Sequence, residues 1–124
     1  LGSGPLAGAS NEAGLKILEL TAGKVVPWSD SPLGFRHGPK AVLDDTTLAI
    51  VLVSGSPYTR RYDLDMAREM AVSVPAGRLL VLSADPVEVD GATIEVTRLD
   101  RRRIAELHVA RVSRETDAAA SVDD

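Results

Sequence analysis

Glu12, Lys16, Glu19 and the single loop histidine His37 are the residues of this 124-residue sequence best suited to moving protons. If residues 6–23 are helical, the spacing i, i+4, i+7 puts the first three within about 60° of one another on one face. Such a stripe has two possible lives. Left in water it is a solvated face, and its Glu12–Lys16 pair contributes only about 0.3 kcal/mol. Partly desolvated, Glu19 rises from a reference pKa of roughly 4.3 towards the range where a carboxylate becomes an effective general base. Spacing alone favours the first, while the apolar neighbours argue that the helix is buried. Ala9, Ala13, Ile17 and Leu20 fill an adjoining arc, and Leu15 and Leu18 make much of the remaining circumference apolar. The helix is therefore expected to be largely buried, and its charges to be paired or to line a cavity.

His37 sits in "SPLGFRHGP", a stretch too rich in proline and glycine for regular structure. In that setting it is either an idle turn histidine or a group placed to handle a proton. Metal ligation has little support, because the other histidine, His108, is remote and neither has an i+4 partner. Serine–histidine–acid catalysis lacks the Gly-x-Ser-x-Gly elbow. With no cysteine there is no thiolate nucleophile, disulfide framework or zinc knuckle. The turn "GSGP" before the helix resembles a phosphate-cradling loop, but the same turn follows equally from backbone need, and the fuller nucleotide-binding motifs are missing.

The elements that must position these groups alternate in type. "LGSGP" reads as a strand end turning through two glycines, followed by the long helix ending with Gly23 at C′. "KVVPW" is a short β-branched run. "TLAIVLVS" and "GRLLVLSAD" are continuous apolar strands of the kind buried in a parallel sheet, with a helix in "SPYTRRYDLDMAREMAV" between them. "ATIEVTRL" alternates as a strand, and a polar helix is expected from "RLD" to about Ser113. The composition, 44% apolar with 3% aromatic, suits a core of aliphatic residues in α/β layers. Ligands are then expected at the C-terminal ends of the strands. A net charge of −4 argues against general nucleic-acid or anionic-lipid binding, and no stretch is long enough to span a membrane. The arginines around "RLDRRRIAELHVAR" read as a solvated face. A cytoplasmic protein is expected, without a signal peptide and cut from something longer.

The sequence "LGSGPLAGASNEAGLKILELTAGKVVPWSDSPLGFRHGPKAVLDD" with "SPYTRRYDLDMAREM" resembles the second sugar-isomerase (SIS) domain of the tagatose-6-phosphate ketose/aldose isomerase family. It is more distantly similar to the isomerase half of glucosamine-6-phosphate synthase. The pairing of Glu-x-x-x-Lys-x-x-Glu with Arg-His-Gly-Pro carries the resemblance, over about the first 70 residues. It implies a three-layer, Rossmann-like α/β domain over residues 1–115 with a mostly parallel sheet flanked by helices. Residues 116–124 are expected to be a disordered tail. The domain would be the C-terminal half of a longer protein with two such domains. By resemblance Glu19 is the catalytic glutamate shuttling a proton between C1 and C2, Lys16 steadies charge on the oxygen, and His37 opens the sugar ring, often from a neighbouring subunit. Glu12, Ser3 and Arg36 are the expected substrate contacts, with Ser54 and Ser56 as lesser candidates.

The expected activity is aldose–ketose isomerisation, or deamination with isomerisation, of a hexose 6-phosphate such as tagatose 6-phosphate or galactosamine 6-phosphate. No cofactor or metal is expected, and the partners are the phosphorylated hexose or hexosamine and further copies of the chain. The alternative is a sugar-phosphate-binding module, or a fragment, without turnover.

Overall fold

The computed structural model of the chain describes residues 1–85 and Val87 in full, and residues 88–89, 92–100 and 103–110 by backbone alone. In chain order these form helix α1 (Pro5–Leu20), the short helix α2 (Pro32–Arg36), a 3-10 turn (Pro39–Val42), strand β1 (Ala49–Val53), helix α3 (Pro57–Ser73) and strand β2 (Leu79–Ser83). Strands β3 (Glu88–Val89), β4 (Ala92–Asp100) and β5 (Arg103–Ala110) follow.

β1 and β2 are parallel, with Ala49 opposite Leu79 and Val53 opposite Ser83, and α3 is the crossover between them. Two continuous apolar runs separated by an amphipathic helix have few other ways to bury both strand faces. The N-terminal residues add to the far edge of β1. The Leu1 nitrogen donates to the Ile50 carbonyl at 2.6 Å, Leu52 N–H donates to the Leu1 carbonyl at 2.8 Å, and Gly2 bridges Leu52 in parallel. The expected strand end turning into a helix is thus present, the turn passing through Gly4 at φ 54°.

The core lies between this sheet and α3. Asp63, Met66, Ala67 and Met70 form the buried stripe of α3, at the i, i+3, i+4, i+7 spacing of one helix face. They meet Val51, Val53, Val81 and Val74, with Phe35 of α2 closing one side. Met66, wholly buried, contributes about 2 kcal/mol or more by its transfer from water. The α/β reading is confirmed in these elements.

Three local expectations change. α1 is not buried: Ser10 is its one buried residue, while Leu15 and Leu18 are 48% and 39% exposed and Leu20 85%. Periodicity marked an apolar face, but no described element lies over it. The helix also ends differently: Gly23 N–H bonds to Leu18 O and Ala22 N–H to Glu19 O, a Schellman closure with Ala22, at φ 50°, in the C′ place assigned to Gly23. Residues 24–28 form no strand, and Val26 and Trp28 are exposed.

The polar helix expected from residue 98 to 113 is instead the strand β5 for residues 103–110, antiparallel to β4. Ile94 stands opposite Val109, Val96 opposite Leu107 and Leu99 opposite Ile104. Those residues fit a helical period as well, but a neighbouring strand of matching pattern supplies a backbone ladder, and pairing overrides the weaker local preference. β3 pairs β4 on its other edge. The expected tail at 116–124 lies outside the described residues. Among the described residues no helix is long and apolar enough to cross a membrane.

Candidate active site

The first cluster is the stripe on α1. Lys16 Nζ lies 2.7 Å from Glu19 Oε2 and 3.6 Å from Glu12 Oε1, so one ammonium sits between two carboxylates. The Glu19 hydrogen bond and then the Glu12 charge raise the Lys16 pKa above its ordinary value, which keeps it a cation throughout the neutral range. All three side chains are about half exposed. The desolvation expected to activate Glu19 is therefore not provided by the described residues; what is built is the charge pattern, on a face open to a further surface.

The second cluster is the loop carrying His37. Asp30 Oδ1 accepts from Ser31 N–H at 2.6 Å, and Ser31 Oγ caps α2 by accepting from Gly34 N–H at 3.0 Å. A side chain at 34 would crowd the Asp30 carboxylate and the Ser31 hydroxyl, which would have to shift. Pro32 and Phe35 are buried and pin α2 to the core, while His37 closes it with its N–H on Gly34 O at 3.2 Å. The imidazole is exposed and makes no hydrogen bond or ion pair with any described residue. Its neighbours are bound firmly. Arg36 Nε donates to Glu69 Oε2 at 2.8 Å, and Lys40 Nζ donates to Glu69 Oε1. The Lys40 bond and then the Arg36 bond hold the Glu69 carboxyl below the usual range, against the opposing effect of partial burial.

The third cluster lies at the C-terminal ends of the strands. Asp63 is wholly buried, accepting from Ser3 Oγ and from Ser54 N–H at 2.9 Å. Arg60 Nη1 donates to Ser83 Oγ at 3.0 Å, linking the first turn of α3 to the end of β2. Beside this network is an open pocket of about 200 Å³ lined by Ser3, Gly4, Ser31, Leu33, Tyr58, Thr59 and Tyr62. The Arg61 guanidinium stacks 4.8 Å from the ring centres of both Tyr58 and Tyr62 on the same helix. Among the described residues no group of three or more His, Cys, Asp or Glu side chains is placed to hold a metal ion.

The structure therefore brings Glu12, Lys16 and Glu19 together, but joins neither Ser3 nor His37 to them by any direct bond. Ser3 and Arg36 are each engaged by an internal carboxylate. Sequence reasoning missed both of those carboxylates, Asp63 and Glu69. Asp63 was findable, since it interrupts the apolar stripe Met66–Ala67–Met70 of α3, and a charge at such a position needs a partner. Glu69 carried no comparable signal, its cations lying 33 and 29 residues away in the chain.

No protein-family model matches the chain. The chain is 51% identical over 92 residues to the D-galactosamine-6-phosphate deaminase of Escherichia coli, a match covering 74% of this chain and 24% of that protein. It is also 51% identical over 85 residues to the corresponding deaminase of Shewanella sp. (strain ANA-3), covering 68% of this chain and 22% of the relative. The crystal structure of tagatose-6-phosphate ketose/aldose isomerase from Escherichia coli superposes with a TM-score of 0.63 at 52% identity, over 68% of this chain and 23% of that one. The chain thus spans about a quarter of the length of the curated relatives it matches. Half-identity across most of the chain, on a shared α/β fold, makes it a member of the sugar-isomerase (SIS) family that includes tagatose-6-phosphate ketose/aldose isomerase.

Proposed function

We propose that this chain supplies the proton-transfer groups for aldose–ketose isomerisation of a hexose 6-phosphate, or for deamination with isomerisation of its 2-amino counterpart such as galactosamine 6-phosphate. Glu19 removes the proton from C2 of the open-chain sugar and returns it to C1, while the Lys16 ammonium faces the oxygen that gains negative charge. With an amino sugar the same transfer leaves an imine at C2, which water hydrolyses to a ketone and ammonia. Glu12 holds Lys16 in place and contacts the sugar, and His37 serves the ring oxygen. Ser3 and Arg36 are already engaged by Asp63 and Glu69, which leaves Glu12 as the substrate contact this reading relies on most.

The observation that carries the reading is the Lys16 ammonium 2.7 Å from Glu19, a cation beside the proposed base. The reading requires a surface over α1 that removes water from Glu19, and it assigns that task to assembly into a homo-oligomer in the cytoplasm. The test is ammonia release from galactosamine 6-phosphate, and ketose formation from aldohexose 6-phosphates, by the unmodified chain and by Glu19→Gln. Turnover lost in Glu19→Gln with an unchanged circular dichroism spectrum is the expected result. Thermal stabilisation by sugar phosphates without turnover would instead make the chain a binding module.

A further inference from the structure

We propose that Glu69 is the positioning residue for His37; this rests on the reading of His37 as the acid–base group. His37 lies in a five-residue arch whose two feet, Arg36 and Lys40, stand on the two oxygens of one carboxylate. That carboxylate belongs to α3, three residues from Met66 and next to Met70, both packed in the core. The arch is thereby tied to a helix whose Met66, Ala67 and Met70 are buried in the core. Phe35, buried immediately before it, fixes the same segment by packing.

The imidazole makes no hydrogen bond of its own to the described residues, so its position is set through its backbone, and the backbone is set at Arg36 and Lys40. A single ion pair at this exposure contributes little, but two cations on one carboxylate form a small network with charge-assisted geometry. A purely stabilising ion pair and a positioning one differ in what they move. The first lowers the melting temperature and nothing else; the second changes the order of residues 36–40 and the rate of the step His37 performs.

The experiment compares the unmodified chain with Glu69→Gln and, as a control, Asp65→Asn, which removes an exposed ion pair to Arg68 on the same helix. Amide hydrogen exchange is followed over residues 34–42, with steady-state turnover of hexose 6-phosphates beside it. Glu69→Gln is expected to speed exchange of those amides about tenfold, while the amides of β1 and β2 keep their protection. It is expected to lower kcat about tenfold with KM within about twofold, as for a misplaced acid–base group. Asp65→Asn is expected to change neither. Unchanged exchange at 34–42 overturns the proposal, and faster exchange with unchanged kcat overturns the link to His37. Absence of turnover from the unmodified chain counts against the functional reading, and the exchange comparison still decides the clamp.

Discussion

Replacing Asp63 tests whether the strand-end network is a real anchor of the fold. The carboxylate is fully buried and receives two donors, the Ser3 hydroxyl and the Ser54 amide. Asp63→Ala removes both charge-assisted bonds and leaves the Ser54 N–H without its acceptor, a loss of about 3 kcal/mol. Asp63→Asn differs in kind. Its oxygen still accepts from Ser54, and its amide donates to the Ser3 hydroxyl, which can turn to accept, so the cost falls to about 1 kcal/mol. Urea unfolding followed by circular dichroism separates the two, and Asp63→Ala should lower the melting temperature by about 10 °C. In a double-mutant cycle, Ser3→Ala and Asp63→Ala should couple by about 1 kcal/mol. The reasoning is refuted if Asn costs as much as Ala, or if Ala costs under about 1 kcal/mol, since either result removes the hydrogen bonds from the account.

Two further outcomes follow from local geometry. Ala22→Gly should raise stability by about 1 kcal/mol in urea unfolding, because Ala22 holds a left-handed conformation at the end of α1 that glycine adopts without strain; a destabilised variant would contradict that. Glu69 has a folded-state pKa below its unfolded value, so its contribution is fully present above the unfolded carboxylate value of roughly 4.3 and is lost as pH falls through the folded one. Arg36 and Lys40 are the charged groups that face it. The stability gap between the unmodified chain and Glu69→Gln, measured by urea unfolding, should therefore be present at pH 7 and shrink as pH falls below the unfolded carboxylate value.

Much of this was legible in the residues themselves. The runs at 49–53 and 79–83 are continuous and apolar, bounded by polar residues and glycine, and only one neighbour satisfies both their faces. The i, i+4, i+7 spacing brought Glu12, Lys16 and Glu19 together because that contact is local to one helix. The failures share a cause. The apolar arc of α1 says where a partner would bind, not whether this chain supplies one. Residues 103–110 satisfy two periods, and the choice between them is made by β4. The anchoring of His37 by Glu69 depends on charges brought together by the fold across 29 to 33 residues, which no window of sequence contains.

The open face of α1 has a consequence for cooperativity. A 16-residue helix with one buried residue draws little from the core, and short helices in water are marginal by themselves. Its opening free energy is therefore set near its own hydrogen bonds rather than at the level of β1, β2 and α3. The described residues thus hold a packed body of β1, β2 and α3 and an arm, α1, expected to fray more readily, and the proposed proton-transfer stripe is on the arm. A surface laid over Leu15 and Leu18 would do more than exclude water from Glu19. In the proposed assembly it would also couple the arm to the body, and the order of the proposed reacting groups would then depend on protein concentration.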